Sequence, residues 1–253
     1  MTRIALSGCN GRMGKAITAL CETRETVKIV AGFDKFYQKN GDFPVFSDLN
    51  EFTGKCDAII DFSNVSALDD LLDYSIKTKT PLVLCTTGYT EDDLEKIHNA
   101  SKIIPVFQSG NMSIGINLMM DLLRKCASIL GENYDVEVIE KHHNQKLDAP
   151  SGTALMLANS VKDALPQDTH YVYDRSQVRQ KRDSKEIGIS AIRGGTIVGE
   201  HSVIFAGHDE IIEIKHSALS REVFANGAID AASFLANCTE PKMYDMSDVI
   251  SSK

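Results

Sequence analysis

The 253-residue chain lacks any apolar run near the roughly 20 residues that a membrane-spanning helix requires, so no membrane partner is expected. Its opening, Met1-Thr2-Arg3-Ile4-Ala5-Leu6, carries too short an apolar core for a secretory leader. Cysteine is sparse and scattered, at Cys9, Cys21, Cys56, Cys85, Cys126 and Cys238, with no Cys-x-x-Cys. That spacing points away from a disulfide framework or a paired-thiolate metal site, and towards reduced thiols in a cytoplasmic protein. An excess of basic charge is missing too. The net charge is -8, which argues against general nucleic-acid binding but leaves room for a local basic pocket around an anionic ligand. Internal repeats and low-complexity segments are absent. What remains is ordinary globular composition, 43% hydrophobic and 25% charged, with length for one large domain or two modest ones. The most polar stretch, Asp174 to Glu186, has no apolar periodicity and reads as a mobile loop.

The first half carries a nucleotide pattern. Arg3 to Ser7 reads as a buried strand, Gly8-Cys9-Asn10-Gly11-Arg12-Met13-Gly14 as a glycine turn, Lys15 to Glu22 as a helix and Val27 to Gly32 as a second strand. In such a unit Gly8 permits the tight turn, Gly11 lets backbone approach a pyrophosphate, and Gly14 lets the helix pack close to the sheet. The helix start offers unpaired N–H groups and partial positive charge to that pyrophosphate. Asp34, just past the second strand, stands where an acid binds adenosine ribose hydroxyls. Lys35 beside it and Arg12 in the turn could face a 2′-phosphate, so the site suits NADH, NADPH or both. Further α/β units follow: strand Asp57 to Phe62, helix Val65 to Lys77, strand Pro81 to Leu84, a helix capped by Thr90 with Asp93 and running to about Ala100, and strand Ile103 to Phe107. This alternation predicts a Rossmann-like parallel sheet with helices on both faces. The loops at the strand ends, Cys85-Thr86-Thr87 and Ser109-Gly110-Asn111-Met112, are the expected seats of the nicotinamide end.

After Met112 the pattern changes. Ile116 to Ile129 reads as a long helix, and Tyr134 to Glu140 as an alternating strand. A helix spans about Gly152 to Ala164. Ile187 to Ile192, Ser202 to Phe205 and Ile211 to Lys215 alternate again, with Gly207-His208-Asp209 as a hairpin turn. An α+β domain with an open, mostly antiparallel sheet is expected over residues 114–219. Residues 1–113 then form the dinucleotide-binding domain, and the last segment, 220–253, with its helix at about Glu222 to Leu235, returns to it.

The stretch EKHHNQKLDAPSGTALMLA, residues 140–158, concentrates charge-bearing groups at a helix start. Pro150 stops a helix from running through, and Ser151 is a good N-cap. Gly152, Thr153 and Ala154 are then expected to present N–H groups that the helix itself does not satisfy, and Gly152 has no side chain to obstruct a ligand. With His142, His143 and Lys146 close by, this is a carboxylate site that also contains proton donors. A zinc site is the alternative, but adjacent histidines rarely converge and no third ligand suggests itself.

Glu140, His142, His143, Lys146 and Asp148-Ala149-Pro150-Ser151-Gly152-Thr153-Ala154 together resemble the signature of the 4-hydroxy-tetrahydrodipicolinate reductase (dihydrodipicolinate reductase) family. Gly8 to Gly14, Arg193 to His201 and Phe224 to Ala228 resemble further family segments, while Cys85 stands where that family often has glycine. The resemblance implies NADH- or NADPH-dependent reduction of a cyclic imine dicarboxylate with loss of water, in diaminopimelate and lysine biosynthesis. It implies His142 and Lys146 as the acid–base pair, with Lys146 the proton donor. His143, Gly152 and Thr153, with Ser151 at the helix start, are implied as substrate-binding, and a homotetramer built on the second domain's sheet is implied as the assembly. No metal is implied. Two rivals are weaker. A semialdehyde dehydrogenase needs a reactive cysteine, and none lies in the cluster. A dinucleotide-sensing regulator would need no proton donors there.

Overall fold

Strands buried on both faces need apolar residues at consecutive positions, and those of the first half have them. The computed structural model describes residues 1–36, 41–166, 168–173, 175–176 and 178–253. The chain runs β1 (Thr2–Ser7), α1 (Arg12–Glu22), β2 (Val27–Phe33), β3 (Val45–Phe46), β4 (Ala58–Asp61), α2 (Leu68–Thr78), β5 (Leu82–Leu84), α3 (Glu91–Ser101) and β6 (Val106–Gln108). It continues with α4 (Ile114–Leu130), β7 (Asp135–His142), α5 (Gly152–Lys162), β8 (His170–Val172), β9 (Glu186–Arg193), β10 (Gly199–Ala206) and β11 (Ile211–Ala218). It ends with α6 (Glu222–Leu235), β12 (Met243–Tyr244) and α7 (Met246–Ser251). Two compact units result: Met1–Ile114 with Glu222–Lys253, and Gly115–Arg221.

The first unit is a parallel sheet in the order β12-β6-β5-β4-β1-β2-β3. Neighbouring residues of each strand serve opposite faces. Ile4, Leu6, Ile60 and Val83 pack with Ile17 of α1 and with Ala228, Ile229 and Ala232 of α6. Ala5, Ile59, Leu82 and Leu84 pack with Leu71 and Leu72 of α2 and with Ile97 of α3. Strand order reverses between β1 and β4, so their carboxyl ends, Ser7 and Asp61, mark the switch point where such sheets take ligands. The expected capping of α3 is present: Thr90 and Asp93 form a reciprocal capping box.

The second unit is a sheet in the order β11-β10-β7-β9-β8. Met119 and Leu123 of α4, with Leu157 and Val161 of α5, cover one face of it against Val136, Val138, Val203 and Phe205. The sheet is open, as expected, but its pairing is mixed. β11-β10 and β10-β7 are antiparallel, whereas β7-β9 and β9-β8 are parallel. The reason is connectivity: a crossover through α5 separates β7 from β9, and parallel neighbours need such a crossover.

Other differences are local. The strand expected at Ile103 starts later, at Val106, because Ile104 N–H still bonds Ala100 O at the end of α3. The helix expected from Val65 opens with a tighter turn over Val65–Ala67, capped by Asn64. β3, β8 and β12 were not expected, since two or three residues carry no periodic pattern. Within the polar stretch 174–186, Asp174 and Gln177 lie outside the described residues. Two of its arginines are anchored: Arg175 pairs with Glu186, and Arg182 bonds Val136 O, Glu186 O and the Asp135 and Glu137 carboxylates. Among the described residues, no helix is long and apolar enough to cross a membrane.

Helix α6 sets the position of one strand-end loop. A Cβ on Gly227 would lie 1.7 Å from Met112 O, so only glycine permits this approach. Gly227→Ala should therefore cost about 2–3 kcal/mol despite alanine's better helix propensity, read as a shift in the chemical denaturation midpoint.

Candidate active site

The first unit's site starts where β1 meets α1. Gly8 takes φ +75, and a Cβ there would sit 2.5 Å from Phe62 O. A Cβ on Gly14 would sit 2.3 Å from Gly8 O, so Gly14 serves the packing of turn on helix. Gly11 is the N-cap of α1, with no side-chain cap bond and no acidic residue in the first turn. The helix start is thus open to an anion. Asp34 closes the turn by accepting Asn10 N–H at 3.0 Å and Phe36 N–H at 3.0 Å. A cavity of about 880 Å³ is lined here by Gly8, Asn10, Gly11, Asp34 and Lys35, among others. An open helix start, a backbone cradle and an acid with further lone pairs fit a dinucleotide.

The other expected contacts of this unit divide. Cys9 is fully buried, its thiol pushed up to about 11 by burial, so its side chain belongs to the core. Met13 packs against that core, while Arg12 and Lys35 are exposed. Thr86 donates to Asp61 Oδ2 at 2.7 Å, Thr87 is exposed, and burial drives the half-buried Cys85 thiol well up. Ser109 Oγ bonds Asn111 O at 2.9 Å, the Asn111 side chain accepts Ser113 N–H at 2.8 Å, Gly110 is exposed and Met112 is buried. The loops 85–87 and 109–112 do not line the cavity. Sequence reading missed Asp61, fully buried at the switch point, whose carboxylate also accepts from Ser63. Burial raises its pKa against the lowering effect of these hydroxyls. The signal was present: a lone acid ending an apolar strand.

The second unit's site is built on the end of β7. Alternation puts Glu140 and His142 on one face, and both are buried. His142 Nδ1 meets Glu140 Oε2 at 2.6 Å. Arg193 grips the same carboxylate with both terminal nitrogens, at 2.7 and 2.6 Å, and Ser151 N–H donates to it at 2.9 Å. Burial alone would raise the Glu140 pKa, but the bonds from Arg193, His142 and Ser151 outweigh it and hold the pKa below its usual value. Ser151 caps α5 as expected, its hydroxyl accepting from Ala154 N–H at 3.2 Å and meeting His201 Nε2 at 3.2 Å. Ser151 is therefore committed to holding the helix start. Gly152 is exposed, with no atom within 4 Å of where a Cβ would stand. Thr153 follows, half-buried. His143 is half-buried, and Lys146 Nζ lies 2.8 Å from Asp148 Oδ1, a contact that lowers the Asp148 pKa.

The structure thus brings His142, Ser151 and the α5 start together, with Lys146 in the connecting loop. It adds Glu140, Arg193 and His201, which were quoted as part of family-like segments but given no role. Only the Glu140 and His142 spacing could have signalled this from sequence, because Arg193 and His201 arrive through strand pairing. Among the described residues, no group of three or more His, Cys, Asp or Glu is placed to hold a metal ion.

Comparison with known proteins gives a consistent family. The family model described as "Dihydrodipicolinate reductase, N-terminus" matches residues 2–112, and "Dihydrodipicolinate reductase, C-terminus" matches residues 115–250. The 4-hydroxy-tetrahydrodipicolinate reductase of Clostridium novyi (strain NT) is 53% identical over 253 residues, covering 100% of both chains. That of Clostridium tetani (strain Massachusetts / E88) is 51% identical over 253 residues, covering 100% of this chain and 98% of the relative. The dipicolinate-bound dihydrodipicolinate reductase from Paenisporosarcina sp. TG-14 shares the fold, with a TM-score of 0.81 at 23% identity over 97% of each chain.

His201 makes stability depend on pH. Burial, reinforced by His142, lowers its pKa from 6.5 to about 4. The unfolded chain therefore binds the proton first, and stability falls as pH drops from about 6.5 to 4. The loss from this group should be about 3 kcal/mol. His201→Gln should flatten the pH dependence of urea unfolding across that window; an unchanged slope would contradict the burial of a neutral His201.

Proposed function

The chain belongs to the dihydrodipicolinate reductase family, and on that premise we propose which of its residues carry the reaction. Its activity is the NADH- or NADPH-dependent reduction of 4-hydroxy-tetrahydrodipicolinate, in the lysine and diaminopimelate route. The substrate loses water and gains one hydride and one proton. When bound, the reduced nicotinamide supplies the hydride to ring C4 of the substrate.

The remaining chemistry falls to side chains and backbone. The N–H groups at Arg12 and Met13 bind the pyrophosphate, with Gly8, Cys9, Asn10, Gly11 and Gly14 holding the turn in shape through their own backbone bonds. Asp34 takes ribose hydroxyls, and Arg12 and Lys35 are the groups available to a 2′-phosphate. Backbone of Cys85, Thr86, Thr87 and Ser109 to Met112 orients the nicotinamide end.

The observation that carries the catalytic reading is the open, Ser151-capped start of α5 following His142, His143 and Lys146 in one short connection. Gly152 and Thr153 N–H groups, with His143, hold a substrate carboxylate. Hydride addition leaves negative charge shared between the ring nitrogen and C5, the carbon next to the one reduced. Lys146, a cation when it arrives, stabilises that charge and then delivers its proton, with His142 as its acid–base partner. The Asp148 carboxylate holds the Lys146 ammonium at 2.8 Å until a substrate carboxylate competes for it. A homotetramer formed through the second unit's sheet, in the cytoplasm, completes the reading; the partly exposed face of β7, with Glu137, Ile139 and Lys141, supports it.

The test is to generate the heterocycle from pyruvate and aspartate semialdehyde with a synthase, and follow NADH and NADPH separately by absorbance. Lys146→Ala should lower turnover by about 10²-fold or more while the NADH dissociation constant stays within a factor of two. Near-normal turnover in this variant would remove Lys146 as proton donor.

A further inference from the structure

The Glu140 carboxylate has about four acceptor positions, and the structure fills all of them. Oε1 takes one Arg193 nitrogen and the Ser151 N–H, while Oε2 takes the other Arg193 nitrogen and meets His142 Nδ1 at 2.6 Å. A carboxylate gripped by a guanidinium is ionised and only accepts. The hydrogen at the fourth contact must therefore sit on His142 Nδ1. That fixes the neutral ring in the tautomer whose Nε2 carries the lone pair. Nε2 points towards position 199, where a Cβ would lie 3.1 Å away; glycine leaves that nitrogen uncovered. The His201 ring stands edge-on at 5.1 Å and 73°, so the imidazole plane is held as well.

We propose that Glu140 is a positioning residue for the reduction, anchoring His142 in the Nδ1–H tautomer and keeping Nε2 as its working nitrogen. Arg193 maintains Glu140 as an anion and, through its bond to Asp148 O at 2.7 Å, ties that anion to the loop that carries Lys146. The pair Glu140–His142 thus acts as one unit, in which the carboxylate holds the Nδ1 hydrogen and the ring exchanges its proton at Nε2 alone. The charged and titratable groups around it are Arg193 from β9, His201 from β10 with His216 of β11 beyond it, and Lys146 and Asp148 from the loop after β7. The proposal rests on the reading of His142 as part of the acid–base pair.

The experiment uses the full chain with ¹⁵N-labelled histidine rings. NMR titration should find neutral His142 protonated on Nδ1. In Glu140→Gln the Nδ1–H tautomer should lose its dominance. In the heterocycle assay, Glu140→Gln should lower kcat by about 10²-fold with little change in KM or in NADH affinity, and move the acid limb of the kcat/KM profile to lower pH. In a His142→Gln background, adding Glu140→Gln should cost no further activity. If Glu140→Gln alone fails to fold, the pair Glu140→Gln with Arg193→Met removes the stranded guanidinium charge and is read by the same spectra. An unchanged tautomer, or an equal loss of activity in both backgrounds, overturns the proposal while leaving His142 in its role. Near-normal turnover in His142→Gln overturns the catalytic reading of His142 and the proposal together.

Discussion

A carboxylate removed from water costs several kcal/mol unless its partners replace the lost hydration. Glu140 is fully buried, and its partners come from three parts of the second unit. His142 lies two residues along the same strand, Arg193 reaches in from β9, and Ser151 N–H comes from the start of α5. Satisfying one charge thus fixes strand register, helix start and imidazole orientation at once. Withdrawing any partner would leave the anion under-compensated, which makes these positions interdependent rather than additive.

The first unit meets its constraint with backbone instead of charge. Backbone of Phe62 at Gly8, and the turn's own Gly8 and Cys9 carbonyls at Gly14, approach so closely that side chains are excluded at both ends of the turn, which leaves N–H groups as the binding surface. Such groups are already oriented, and they hold a pyrophosphate without ordering flexible side chains. Asp61 does for this unit a smaller version of what Glu140 does for the other. It is a buried acid at the end of a strand, collecting hydroxyls from Ser63 and Thr86 and so tying neighbouring strand-end loops to the sheet.

Much of this was legible in the sequence because it is local. The glycine turn, the Thr90 and Asp93 capping box, the Ser151 cap and the helix Glu222–Leu235 follow from residues within a few positions of one another. The alternation of strand and helix sufficed for the parallel sheet. The rest is non-local. Glu140 and Arg193 lie 53 residues apart, and they meet because β7 and β9 pair in parallel with His142 opposite Arg193. An alternating pattern states which face of a strand is buried but not which strand lies beside it, so the mixed pairing of the second sheet and the Arg193 partner of Glu140 had no sequence signature. Ser151 shows the same limit. Its capping role was plain, while the commitment of its hydroxyl to Ala154 and His201 depended on where β10 lies.

The central claim is that this chain moves hydride to the dicarboxylate heterocycle. Its most direct test is isotopic: supply nicotinamide dinucleotide deuterated at both C4 positions, add the enzymatically generated heterocycle and the protein, and analyse the product by mass spectrometry. The account predicts one deuterium on a product ring carbon for each dinucleotide oxidised, and none when either protein or heterocycle is omitted. Protein that binds the dinucleotide yet transfers no deuterium would contradict it.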